Sequence, residues 1–112
     1  MSNNDSPVWA MNDLVRQQAE SGKAYLSFLD NSTMHCGVYC LPAKGVDGQS
    51  PHDEDEVYYV YRGKAKIEID DVSYDVAAGD VIFVAAQQVH RFVDIQEDLE
   101  LLVFFSKAPP RG

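Results

Sequence analysis

Basic residues are scarce in this chain. Its 112 residues include 9 Lys and Arg against 18 Asp and Glu, which gives a formal net charge of -9 at pH 7. A protein of this charge repels a phosphate backbone, and no cluster of Lys or Arg offsets the repulsion. The sequence therefore argues against nucleic acid as a partner.

Long apolar runs are also missing. None approaches the ~18 residues that would indicate a membrane span. The first residues, MSNNDSPVWAMND, have neither the basic start nor the apolar centre of a secretory signal. The composition, 46% hydrophobic and 24% charged, is typical of one compact domain. We expect a soluble cytoplasmic protein with no membrane partner.

Cysteine is limited to Cys36 and Cys40, which stand four positions apart in MHCGVYCL. This segment reads as a strand, in which residues four apart are separated by ~13 Å. That distance is too long for a disulfide. Because C-x-x-x-C is not a recognised ligand spacing, we expect two small half-buried thiols without a metal or redox role.

The rest of the pattern predicts one helix followed by strands. Residues 12–21, NDLVRQQAES, form an amphipathic pattern with Asn12 as a candidate cap and Gly22 as its end. Short segments rich in Val, Ile, Phe and Tyr follow, separated by turn residues. They are AYLSFLD, MHCGVYCL, EVYYVYRG, KAKIEID, VSYDV, DVIFVAA, HRFVDI and LELLVFFS. Eight short strands predict an antiparallel β-sandwich or barrel, with the helix packed outside.

Three regions are expected along the chain. Residues 1–23 form an N-terminal extension that carries the short helix, residues 24–106 form the barrel, and residues 107–112 form an exposed tail. The tail begins within SKAPPRG, whose prolines cannot continue a strand. No repeat or low-complexity segment divides the barrel.

A histidine and four consecutive acids, HDEDE, precede the aromatic segment VYYVY. In a straight strand His52 and Glu56 would lie ~13 Å apart and could not meet at one point. Residues 53–55 can bend the chain, because short carboxylates bond nearby backbone amides. Glu56 would then begin a strand and point to the same side as Tyr58.

A second segment, GDVIFVAAQQVHRFVD, delivers His90 at the start of another strand. If the two segments meet, His52, Glu56 and His90 form a metal site. The other interpretation is a solvated acidic loop beside a hydrogen-bonded histidine, and the local pattern alone leaves it open.

Both segments resemble the two motifs of the cupins. The first cupin motif ends in H-x-H, three or four residues, E, six residues and G. Here Glu56, VYYVYR and Gly63 match its second half, and His52 stands at the second histidine. Gly79, then DVIFV, then AAQQVHRFVD match the second motif, with His90 as its histidine. The resemblance covers roughly residues 37–105. It implies a double-stranded β-helix, or jelly-roll barrel, of the kind found in small single-domain bacterial cupins.

The chain departs from these motifs at several positions. Ser50 stands at the first histidine, Ala85 and Gln87 stand at the Pro and Gly of the second motif, and Asp94 stands at its Asn. The resemblance implies a divalent transition metal, Fe(II), Mn, Zn or Ni, held by the remaining two histidines and one carboxylate. Such a set leaves coordination positions open for a substrate and dioxygen.

Other side chains lie near these positions in the sequence. Glu54 or Gln49 could supply a fourth ligand, although Glu54 also reads as a solvated turn carboxylate. Tyr58 is expected to line a pocket with Phe83 and Phe92 nearby, the alternative being plain core packing. Arg91 is expected on the surface, and His35 reads as structural or exposed.

Two function classes follow from these observations. The first is a metal-dependent enzyme, an oxygenase, isomerase or lyase, which acts on a small anionic or enolic substrate. The second is a non-enzymatic module that binds or senses a small ligand with or without metal. A homodimer is expected from the resemblance to small cupins, and the fold alone does not decide between the two classes.

Overall fold

The computed structural model describes residues 6–107. Within this range the chain forms one helix and six strands. They are α1 (Met11–Ser21), β1 (Tyr25–Asp30), β2 (Met34–Leu41), β3 (Glu56–Ile69), β4 (Val72–Ala77), β5 (Val81–Val84) and β6 (His90–Ser106). Residues 1–5 of the expected extension and residues 108–112 of the expected tail lie outside the described range.

All strand pairs are antiparallel, and the strand order is β1-β2-β6-β3-β4. The long strand β3 pairs with β5 along its first half and with β4 along its second half. Strand β6 pairs with β3 along most of its length, so the two strands form the centre of the molecule. The predicted all-β antiparallel barrel with a short N-terminal helix is confirmed.

Two expected strand breaks do not occur. EVYYVYRG and KAKIEID form one strand, β3, and HRFVDI and LELLVFFS form another, β6. The pairing of β3 with β6 continues across register shifts between Val60 and Lys66. At Gly63, φ is +106°, and a Cβ there would lie 2.4 Å from the Asp98 carbonyl oxygen. Glycine therefore lets β3 bend at a close backbone approach without ending it.

The helix packs outside the barrel against β1 and β2. It begins at Met11, one residue earlier than expected, and its N-cap is Ala10. The Asn12 side chain is not the cap, because it accepts a hydrogen bond from Tyr61 Oη at 2.9 Å. The helix ends as predicted at Gly22, which adopts φ of 73°. Within residues 6–107, no helix is long and apolar enough to cross a membrane.

The two cysteines are free thiols on the outward side of β2, with Cys36 buried and Cys40 half-buried. Burial raises the pKa of both thiols, that of Cys40 to about 11. A thiol with a raised pKa is a poor nucleophile and a poor metal ligand at neutral pH. This environment favours the packing role expected from the sequence.

Candidate metal centre

The inner face of the barrel is set by the register of four strands. His35 of β2 lies opposite Phe105 of β6, Phe105 lies opposite Glu56 of β3, and Glu56 lies opposite Val84 of β5. Directly paired residues share one face of an antiparallel sheet. His35 and Glu56 therefore face the same interior at one end of the barrel.

The acidic run before β3 joins this end to the turn before β6. The Asp55 carboxylate accepts a hydrogen bond from the Ala86 amide at 2.9 Å, and Asp53 accepts one from Gln87 Nε2. The Gln87 amide also donates to the His52 carbonyl at 2.7 Å. The bend expected from the sequence is present, but these carboxylates bond the turn before β6 rather than nearby amides of their own segment. These bonds fasten the segment of His52 to the segment of His90.

The bend brings His52, Glu56 and His90 together. Each offers one ligand atom, and these atoms all lie within 4.8 Å of one another. Glu56 is 2% exposed and His90 is 3% exposed, whereas His52 is half-buried. The ring of His52 packs against His90, with ring centroids 5.5 Å apart. The three residues that the two motifs supply thus form one cluster.

Two atoms of this cluster are buried without a hydrogen-bond partner among the described residues, Glu56 Oε1 and His90 Nε2. They lie 3.1 Å from each other, but the contact lacks the geometry of a hydrogen bond. A buried polar atom without a partner costs about 1–3 kcal/mol, so such a pair calls for a further group. A divalent cation fits between a carboxylate oxygen and an imidazole nitrogen.

The other nitrogen of His90 is held by the backbone. Nδ1 lies 2.9 Å from the Gln88 carbonyl oxygen and donates to it, which leaves Nε2 facing Glu56. Metal-binding histidines are commonly oriented by such a bond.

Burial lowers the pKa of His90, but the nearby Glu56, the Gln88 carbonyl and Asp47 outweigh burial and raise it above the ordinary value.

Gln49 approaches the cluster from the loop before His52. Its Oε1 lies 3.3 Å from His52 Nε2 and accepts from Tyr58 Oη at 3.1 Å. Its Nε2 donates to Asp47 at 2.6 Å. Asp47 is buried and also accepts from Tyr39 Oη at 2.5 Å and from the Phe92 amide at 2.9 Å. Asp47 therefore turns the amide oxygen of Gln49 toward the cluster.

A cavity of about 390 Å³ opens beside these groups. This volume suits a small organic molecule. The side chains around it are Tyr25, His35, Tyr39, Gln49, His52, Glu54, Glu56, Tyr58, Val103 and Phe105. Glu54 lines the cavity but does not join the cluster of three ligand atoms.

The expected pocket residues lie in three different environments. Tyr58 is buried and lines the cavity. Phe92 is buried beneath it, with ring centroids 5.0 Å apart, and fills the core. Phe83 does not line this cavity, contrary to expectation, because it is 58% exposed. In β5, Ile82 and Val84 pair with the inward residues of β3, so Phe83 points outward.

Sequence reasoning missed His35 as a cavity residue. Its Nε2 lies 3.1 Å from Tyr25 Oη and 3.0 Å from Ser27 Oγ, and its ring stacks on Phe105. The alternation of side chains along β2 predicts this position, because His35 and Tyr39 share one face of the strand and the cysteines share the other. Asp47 gave no such signal, since it lies in an irregular loop. Arg91 is exposed and pairs with Glu68, as a surface residue would.

Comparison with known proteins agrees with this architecture. Residues 37–105 match the cupin domain family. An uncharacterized protein of Streptomyces coelicolor is 42% identical over 105 residues, which cover 94% of this chain and 98% of that protein.

Two solved structures share the fold at low identity. The Cnp3 cupin domain of Schizosaccharomyces pombe is 13% identical with a TM-score of 0.68, over 75% of this chain and 64% of that one. An RmlC-like cupin of Shewanella frigidimarina is 23% identical with a TM-score of 0.68, over 75% of each chain. The segment that matches the family, residues 37–105, includes β3, β4, β5, most of β6 and all three clustered residues, and the chain therefore belongs to the cupin family.

Proposed function

We propose that this protein is a metal-dependent enzyme of the oxygenase, isomerase or lyase type that acts on a small organic molecule. The metal would be a divalent transition ion, Fe(II), Mn, Zn or Ni, held by His52, Glu56 and His90. The observation that carries the proposal is the pair of buried, unpartnered atoms, Glu56 Oε1 and His90 Nε2, 3.1 Å apart. Both belong to residues that would be metal ligands in their unprotonated forms.

The surrounding residues prepare the site for an ion. The Gln88 carbonyl fixes the orientation of His90, and Asp47 fixes that of Gln49, which supports Gln49 as a fourth ligand. Aromatic rings line the cavity beside the ligand atoms. A bound ion would supply Lewis-acid or dioxygen-activating chemistry at this position.

The second candidate is a non-enzymatic module that binds or senses a small ligand in the same cavity. The observation in its favour is Ser50, which stands where the first motif has a histidine. A set of ligands short of one histidine would bind metal less tightly. Recovery of a co-purified small molecule unchanged after incubation with metal-loaded protein and air would favour this candidate, whereas its conversion would favour the enzyme.

The proposed metal site is tested by metal analysis of untagged protein. We expect about one equivalent of ion in the wild type and almost none in His90→Ala, which removes a ligand at the rim of a cavity and should leave a cooperative fold. His35→Ala is the matched control, because it removes another histidine from the same cavity and should retain the ion. Loss of metal in His35→Ala and retention in His90→Ala would contradict the assignment.

Metal should also stabilise the fold. At a free ion concentration of 100 times Kd, binding to the native state adds about 2.7 kcal/mol to the free energy of unfolding. Urea titration with and without the ion measures this increment. We expect it in the wild type and in Glu54→Gln, and not in His90→Ala. If the stabilisation by metal is lost in Glu54→Gln but kept in Glu56→Gln, the carboxylate ligand is Glu54 rather than Glu56.

We also infer a homodimer. Tyr59, Val81 and Phe83 are exposed on the outer side of the paired strands β3 and β5, and paired residues there share one face. Exposed apolar side chains grouped in this way are typical of an interface. Light scattering of the wild type and of Phe83→Glu tests the proposal. A monomeric wild type at micromolar concentration would contradict it.

A further inference from the structure

The cavity beside the three clustered ligands has an unusual charge for a site that binds small metabolites. Two carboxylates, Glu54 and Glu56, are among its lining residues, and no lysine or arginine of residues 6–107 is. A third carboxylate, Asp47, is buried directly behind Gln49 and Tyr39, and its described partners are neutral donors. Negative charge therefore surrounds this cavity, and in the described part of the chain no lysine or arginine lines it.

A bound ion does not reverse this balance. A divalent cation carries +2, and Glu54, Glu56 and Asp47 together carry -3 when ionised, which leaves -1 with neutral histidines. The charge of the ion has to be counted in such a site, and here the carboxylates exceed it. An incoming carboxylate or phosphate would meet a site that is already negative.

His35 also faces the cavity. Its Nε2 contacts two hydroxyl groups, those of Tyr25 and Ser27, and its ring stacks on Phe105. These neighbours of His35 are uncharged.

The walls of the cavity are aromatic. Tyr25, Tyr39, Tyr58 and Phe105 all line it. Tyr25 is fixed in place because its ring lies against Gly37, where a Cβ would come within 2.3 Å of the ring. Aromatic faces bind flat rings by stacking and bind cations by their negative π face.

We propose that this cavity takes a small ring-bearing molecule that is neutral or positively charged, and that it rejects carboxylates and phosphates. The inference rests on the proposed function only in placing the ligand beside the metal ligands. It departs from the anionic substrate expected from the sequence. The enolic alternative remains compatible, because an enol enters the cavity uncharged.

Three phenols that differ in charge provide the test. Tyramine is a cation, 4-ethylphenol is neutral, and 3-(4-hydroxyphenyl)propionate is an anion. Their dissociation constants are measured by NMR titration at pH 8 and low salt, with zinc-loaded and metal-free wild type. We expect tyramine and 4-ethylphenol to bind, and the propionate to bind about tenfold more weakly than tyramine because of repulsion by the carboxylates. High salt should narrow this difference.

Glu54→Gln removes one of the negative charges at the cavity. We expect it to reduce the ratio of the dissociation constants of the propionate and tyramine about threefold. Glu20→Gln, on the exposed face of α1, is the matched control and should leave the difference unchanged. Equal or tighter binding of the propionate would overturn the inference, and so would no binding of any probe. If zinc does not bind but the metal-free protein binds the three probes in the expected order, the proposed metal site is wrong and the inference about ligand charge stands.

Discussion

The two ends of the barrel are built from the same two long strands, but their interiors differ in chemistry. At one end, Leu41, Ala65 and Leu99 are buried and close the core with aliphatic side chains. At the other end, the same strands present Glu56 and Phe105 to a cavity lined by tyrosines and histidines. One end therefore stabilises the fold through apolar packing. The other end keeps buried polar groups, which cost stability and are expected where a protein has a functional site.

The bend at Gly63 lies at the closed end. From this bend, one half of β3 runs back to Glu56, and the other half runs back to Ile69, which pairs with His90. Both halves therefore reach the cavity end, whereas Leu99 stays beside the bend, where a Cβ at Gly63 would lie 2.8 Å from its Cα. A change at Leu99 should therefore affect stability much more than metal binding.

The largest effect is expected at the closed end. Leu99→Ala should lower the free energy of unfolding by about 2–5 kcal/mol, because the side chain is fully buried and its loss leaves a cavity. Metal stoichiometry of the folded fraction should not change. Urea unfolding combined with metal analysis measures both quantities. Loss of metal from folded Leu99→Ala would show that the two ends are not independent.

A smaller effect is expected at the bend. Gly63→Ala should cost about 1–3 kcal/mol, because the position has positive φ and the added Cβ would meet the Asp98 carbonyl. Gly48→Ala is the matched control, since nothing lies within 4 Å of its Cβ position, and it should stay within about 0.5 kcal/mol of wild type. Urea titrations of the two variants compare them. Equal stabilities would mean that the close approach at Gly63 is absent in solution.

The smallest effect is expected at the cavity end, and it concerns metal rather than stability. Asp47→Asn should weaken metal binding about tenfold, because an amide has one acceptor oxygen, whereas the carboxylate accepts from Tyr39 Oη at one oxygen and from Gln49 Nε2 and the Phe92 amide at the other. Asp75→Asn, at an exposed position of β4, is the control and should bind metal as the wild type does. Zinc competition titrations measure the difference. Unchanged affinity in Asp47→Asn would remove Gln49 from the proposed ligand set.

Much of the fold could be predicted from the chain because its signals are local. Alternating apolar residues identified the strands, and Gly22 identified the end of the helix. The expected breaks within β3 and β6 were wrong, because glycine and register shifts bend a strand as readily as they end it. The position of Phe83 was also wrong, since the face that a residue occupies depends on the register of its partner strand.

For the site, the sequence by itself determined the spacing of His52 and Glu56, the need for a bend between them, and a second histidine at the start of a strand. Spacing can do this because backbone geometry fixes the distances between nearby residues. The tertiary structure alone decided that His35 faces the cavity, that Asp47 orients Gln49, and that Glu56 meets His90 across the barrel. Those contacts join residues far apart in the chain, and only the pairing of β2, β3 and β6 sets their distances.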